Sequence, residues 1–117
     1  MKKKTLFFLT KVLPVLVWLA VIFVLSSFPG SSYPQQPQLF SWTAHVAQFF
    51  VLGYLLAQML GKKGAVSFVF ALIFCLLYAA SDEWHQKFVA GRESSVVDWV
   101  VDGVGGLIGI LGYYLRK

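Results

Sequence analysis

Uncharged apolar runs alternate along this chain with short polar or basic breaks. Residues 12–28 carry no charge, and a crossing from about residue 6 to residue 28 fits if Lys11 bends its stem back toward water. Pro14 falls in the first turns of that segment, where a missing N–H matters least. The second run, 42–60, is uncharged apart from His45 and is interrupted by polar Gln48. A third begins at Ala65 and leads directly into Asp82, and a fourth covers 96–115 before Arg116-Lys117. Each is close to the roughly 20 residues an apolar helix needs to cross a bilayer. The pattern predicts an all-α membrane protein of one domain, 1–117, with four transmembrane helices at about 6–28, 42–60, 65–83 and 96–115.

The breaks read as connections. Residues 29–39 hold three of the four prolines and no charge, which predicts a loop. Gly61-Lys62-Lys63-Gly64 predicts a tight basic turn, and the stretch from Trp84 to Ser95, with Gly91 inside it, a polar hinge. A cleaved signal peptide is the alternative for the first run, but it has no A-x-A site and is long for one.

Composition agrees with the pattern. In 117 residues, 58% are hydrophobic and 13% charged, against roughly 45–50% and 25% in soluble domains, so a water-soluble fold would have more apolar surface than it can enclose. The net charge of +5 lies between the spans and at the ends rather than in a stripe, which speaks to orientation and against nucleic acid. Lys2, Lys3, Lys4, Lys11, Lys62, Lys63, Arg116 and Lys117 gather on one face of a four-span topology; only Lys87 and Arg92 fall on the other. The positive-inside rule makes the first face, with both termini, cytoplasmic. Trp42, Trp84 and Trp99 then lie near the outer interface, with Tyr113 and Tyr114 near the inner one. Cys75, alone in mid-span, reads as packing.

The ionisable residues are concentrated. All five acidic side chains (Asp82, Glu83, Glu93, Asp98, Asp102) lie between Asp82 and Asp102, together with His85. His45 opens the second span at the same level, with Gln48 about a turn below. Asp98 and Asp102 share a helical face, as do Asp82, His85 and Gln86 if the third helix runs on a turn. A carboxylate inside a span costs about 2.5–3.5 kcal/mol on insertion scales and normally faces a partner or a wet cavity, so Asp102 reads as part of a site. Glu83, Lys87 and Glu93 read equally well as a solvated loop. Asp82 with His85 makes a candidate acid–base pair. Arg92 supplies an anion-binding fork, with His45, Gln86, Asp98 and Asp102 as further binding residues. His45, His85, Asp82, Asp98 and Asp102 are all possible metal ligands, but their spacing matches no zinc pattern, and no metal or other cofactor is expected.

Gly103, Gly105, Gly106, Gly109 and Gly112 crowd the last span. A dinucleotide loop fails there, because Ile108 stands where the third glycine belongs and no strand precedes it. Gly105 and Gly109 make G-x-x-x-G, which reads as close helix packing.

The segment YAASDEWHQKFVAGRESSVVDWVVDGVGGLIG resembles the signature of the VanZ-like family, small bacterial membrane proteins named after a teicoplanin resistance protein. Its D-E-x-x-Q core corresponds to Asp82, Glu83 and Gln86, and its G-R and D-x-x-x-D elements to Gly91, Arg92, Asp98 and Asp102. Ser26-Ser27, and His45 followed by Phe49 and Leu52-Gly53, resemble upstream parts of the pattern. Ser41, Trp42 and Gln48 depart from it, standing where the family often has ionisable residues. The resemblance implies a multi-pass protein of the bacterial inner membrane and a cell-envelope role touching glycopeptide susceptibility. With the residues, it leads to an expected outer-leaflet site for an anionic envelope lipid or lipid-linked glycan. An enzyme acting on a lipid headgroup or lipid-linked phosphate is the alternative. Proton-coupled transport fits less well, because the cytoplasmic half of the spans has no ionisable groups.

Overall fold

A computed structural model describes residues 2–28, 38–62, 64–90 and 95–116. Among them are four helices long and apolar enough to cross a membrane: α1, Lys3–Ser27; α2, Gln38–Leu60; α3, Gly64–Gln86; and α4, Val96–Leu115. Of the loop expected at 29–39, residues 29–37 lie outside the described residues, as does the Gly91–Arg92 part of the hinge, while Gln38 and Leu39 already belong to α2.

Helix α1 starts earlier than the hydropathy pattern indicates, so Pro14 lies well inside it rather than at its beginning. The chain answers with a π-helical stretch, Phe8–Val12, immediately before Pro14. Widening the helix there makes room for a ring that would otherwise press on the carbonyl four residues back and that offers no N–H. Helix α3 runs on past Glu83 to Gln86, so the polar run that looked like a hinge begins as helix.

The connection between α2 and α3 needs its two glycines. Gly61 and Gly64 have φ of 80° and 73°, a left-handed geometry that costs other residues roughly 1–2 kcal/mol. At the other end of the bundle, Ser95 caps α4 by accepting the Asp98 N–H at 3.0 Å, which places Asp98 in the favourable first turn.

The helices alternate in direction. Helices α2 and α4 run parallel and touch backbone to backbone. A Cβ on Gly53 would run into the Gly106 carbonyl, one on Gly109 into that of Phe50, and one on Gly105 would come within 2.6 Å of the Val46 carbonyl oxygen. This is the small-residue contact that brings membrane helices together where no hydrophobic effect drives them. Helix α3 packs antiparallel to both, laying Cys75 against Gly106. Helix α1 is tied on by side chains: Trp18 Nε1 donates to the Gln48 carbonyl (2.8 Å), and Tyr78 Oη to that of Leu19 (2.6 Å).

The outward faces are apolar, with Val17, Phe23, Val66, Phe70, Leu77 and Leu115 all more than half exposed. The inward face of α3 is the reverse. Ser67, Ala71, Cys75, Ala79, Asp82, Glu83 and Gln86 are buried there, a stripe of small and polar residues. Large apolar groups outside and small or polar ones inside is the arrangement a lipid solvent favours.

The end holding the α2–α3 turn also holds the last residues of α4. There Lys62 Nζ donates to the Arg116 carbonyl at 2.8 Å, and Arg116 Nη1 donates to the Tyr54 hydroxyl at 3.2 Å. Both cations lie over the Tyr113 ring. The described acidic residues, Asp82, Glu83, Asp98 and Asp102, are at the opposite end.

Candidate functional site

Helices α2 and α4 begin, and α3 ends, at one end of the bundle, and three side chains converge there. His45 on α2 and Asp102 on α4 are joined by a 2.7 Å contact between Nδ1 and Oδ1. Asp102 is fully buried, whereas the His45 side chain keeps 14% of its surface exposed. Glu83, on α3, is buried, and one ligating atom from each of the three lies within 4.8 Å of the others.

Each carboxylate has one oxygen anchored and one unpartnered among the described residues. Asp102 Oδ1 takes His45, and Glu83 Oε2 accepts the Ser95 backbone N–H at 3.2 Å. Asp102 Oδ2 and Glu83 Oε1 are buried without a hydrogen-bond partner, and so is Trp42 Nε1, one turn before His45. Buried polar atoms are nearly always satisfied, so the two orphaned carboxylate oxygens beside His45 call for an explanation at this end of the bundle. The bond to Asp102 also fixes the imidazole. When Nδ1 carries the proton, Nε2 has a free lone pair, the arrangement of an oriented base or ligand.

The other sequence-derived candidates surround this core. Asp82 is buried and within electrostatic reach of Asp102; Asp98, partly buried, is within reach of His45, Glu83 and Asp102. Gln86 is buried a turn beyond Asp82. His85 turns the other way, toward α1. Its ring stacks on Phe23 with centroids 4.7 Å apart, and its Nε2 lies 3.0 Å from Ser27 Oγ. Ser27 donates its own proton to the Phe23 carbonyl at 2.7 Å, so it accepts from His85. Arg92 lies outside the described residues.

Glu83, at the expected end of the third span, is the residue that sequence reasoning leaves open between a site and a solvated loop and does not count among the site residues. The signal for it was present: Ala71, Cys75, Ala79 and Glu83 recur at intervals of four, so Glu83 continues the small-residue stripe that faces the bundle once α3 is extended by a turn.

Beside the core, a groove of about 380 Å³ opens between the end of α3 and the start of α4. Ala80, Glu83, Trp84, Lys87, Ser95, Val96 and Trp99 line it. Trp99 is held by its Nε1 donating to the Leu76 carbonyl at 2.9 Å. Glu83 therefore faces both the His45–Asp102 pair and the groove, and Lys87, exposed, is the groove's cation.

Four membrane-length helices with apolar exteriors, enclosing a histidine–carboxylate cluster near one end, define a multi-pass helical membrane protein. The chain belongs to the VanZ/LLP1 family, whose sequence model matches residues 11–117, from late in the first turns of α1 to the last residue. Comparison with curated proteins and with solved structures returns no match.

Proposed function

We propose that this VanZ-family protein lies in the bacterial inner membrane with both termini cytoplasmic. There it binds the anionic headgroup of an envelope lipid or lipid-linked glycan from the outer leaflet, and by holding that lipid lowers susceptibility to glycopeptides such as teicoplanin. The observation that carries this reading is the groove between α3 and α4. It is roomy enough for a headgroup, walled by Trp84, Trp99 and Val96, and supplied with a cation by Lys87. Arg92 is the second anion-binding group, with a planar fork suited to phosphate. Asp98, Asp102, His45 and Gln86 shape and orient the polar side of the site. The orientation rests on the basic end, where Lys62 and Arg116 meet Tyr54 and Tyr113, lying away from the acidic one.

The test is lipid extraction from the detergent-purified chain. The parent should carry an anionic lipid or lipid-linked glycan that Asp98→Ala has lost, and identical lipid profiles for the two would overturn the reading.

A second reading, hydrolysis or transfer at the same headgroup, draws on a specific observation. A histidine oriented by a buried carboxylate at 2.7 Å, with Glu83 beside it, is equipment for proton transfer. Asp82 and His85 are the alternative acid–base pair in this reading.

A further inference from the structure

We propose that His45, Glu83 and Asp102 form a binding site for one divalent transition-metal cation, of the zinc or manganese class. Three helices deliver three donors to one point, with a ligating atom of each within 4.8 Å of the others. Donors sharing a tetrahedral ion at bond lengths of about 2.0–2.2 Å stand roughly 3.3–3.6 Å apart, so small side-chain rotations close this set onto an ion.

The state of the carboxylates points the same way. Glu83 and Asp102 are 6% and 0% exposed, and each aims one buried oxygen at no hydrogen-bond donor among the described residues. Two adjacent carboxylates in a low-dielectric interior are costly unless positive charge is supplied, and the side chain in contact with Asp102 that could supply any is a single imidazole. A dication balances two carboxylates in full. Glu83 is also held by its other oxygen, through the Ser95 N–H, which is how outer contacts aim metal ligands. The ion would take the place of the proton between His45 Nδ1 and Asp102 Oδ1.

The donor set selects the class of metal. One imidazole and two carboxylates, with the lone thiol of Cys75 packed elsewhere against Gly106, suit zinc, manganese or iron(II) rather than copper(I) or an iron–sulfur cluster. Three protein ligands leave at least one coordination position, and Glu83 connects the site to the groove. The cation site stands whether or not the groove takes a lipid.

The test uses the full chain in detergent, stripped with chelator, reloaded with Zn²⁺ or Mn²⁺, passed through gel filtration and assayed for metal by mass spectrometry. The parent should retain about one ion per chain, and Glu83→Gln and Asp102→Asn, near-isosteric changes, should each weaken binding by roughly tenfold or more. A parent that retains no more metal than the Glu83→Gln/Asp102→Asn double variant overturns the proposal. A second measurement needs no variant. The Co²⁺-loaded parent should show visible ligand-field bands distinct from those of Co²⁺ in detergent buffer, and identical spectra contradict the site.

Discussion

His45 and Asp102 are separated by 57 positions in the chain and by 2.7 Å in the fold, with the carboxylate wholly enclosed. The contact ties the start of α2 to the start of α4 just above the glycine seam that joins the same two helices. Asp102→Ala strips His45 Nδ1 of its acceptor and leaves a void, so it should lower stability by about 1–3 kcal/mol. Thermal unfolding in detergent reads this. In a double-mutant cycle, His45→Ala combined with Asp102→Ala should cost clearly less than the sum of the two. Additive losses would mean that the pair is not coupled.

The glycine seam makes a graded prediction. Gly53→Leu and Gly109→Leu put side chains where neighbouring backbone carbonyls already are, and should abolish recovery of folded protein. Gly112→Ala, whose Cβ would meet the Phe50 ring at 3.6 Å, should be nearly neutral. Gly64→Ala has open space around it but a φ of 73°, and should cost about 1–2 kcal/mol through backbone strain alone. Gel-filtration recovery and unfolding midpoints separate the three cases. Equal tolerance at Gly53 and Gly112 would refute the backbone-to-backbone packing.

How much of this is visible in the letters depends on which interaction decides each feature. The four helices are legible because crossing length and charge placement are properties of segments, and a bilayer imposes both. That His45 and Asp102 lie at a similar level follows from counting spans. Glu83 was not legible as an inward residue, because its place depends on where α3 ends. Polar letters from Glu83 onward can be read as solvated loop unless the small-residue stripe is followed through them. The direction of His85 is set by Phe23 and Ser27 on α1, a partner that no spacing within α3 can name. The π-helical stretch before Pro14 was hidden for a similar reason, since it depends on how far α1 extends toward its basic start.

The two histidines should behave differently in function. His45 is locked to Asp102 beside the groove, whereas His85 braces α1. In a bacterium whose teicoplanin tolerance depends on this protein, His45→Ala should return the cell to the susceptible level and His85→Ala should retain most of the protection. The measurement is the minimal inhibitory concentration at matched protein levels. The opposite ranking would move the chemistry to Asp82 and His85.

Orientation can be checked with single cysteines on a Cys75→Ser background. An impermeant maleimide added to intact spheroplasts should modify Lys87→Cys and leave Lys62→Cys untouched until the membrane is opened. The reverse labelling would invert the topology and move the acidic end to the cytoplasmic side.

The central claim, that the groove beside Glu83 holds an anionic lipid, is tested most directly by light-activated crosslinking in living cells. A photoreactive residue at Val96, which lines the groove, is compared with one at Val24, which is 52% exposed on the outer face of α1. Mass spectrometry of the adducts should find an anionic lipid or lipid-linked glycan enriched at position 96 and bulk membrane lipid at position 24. Adducts of the same composition at both positions would contradict the account.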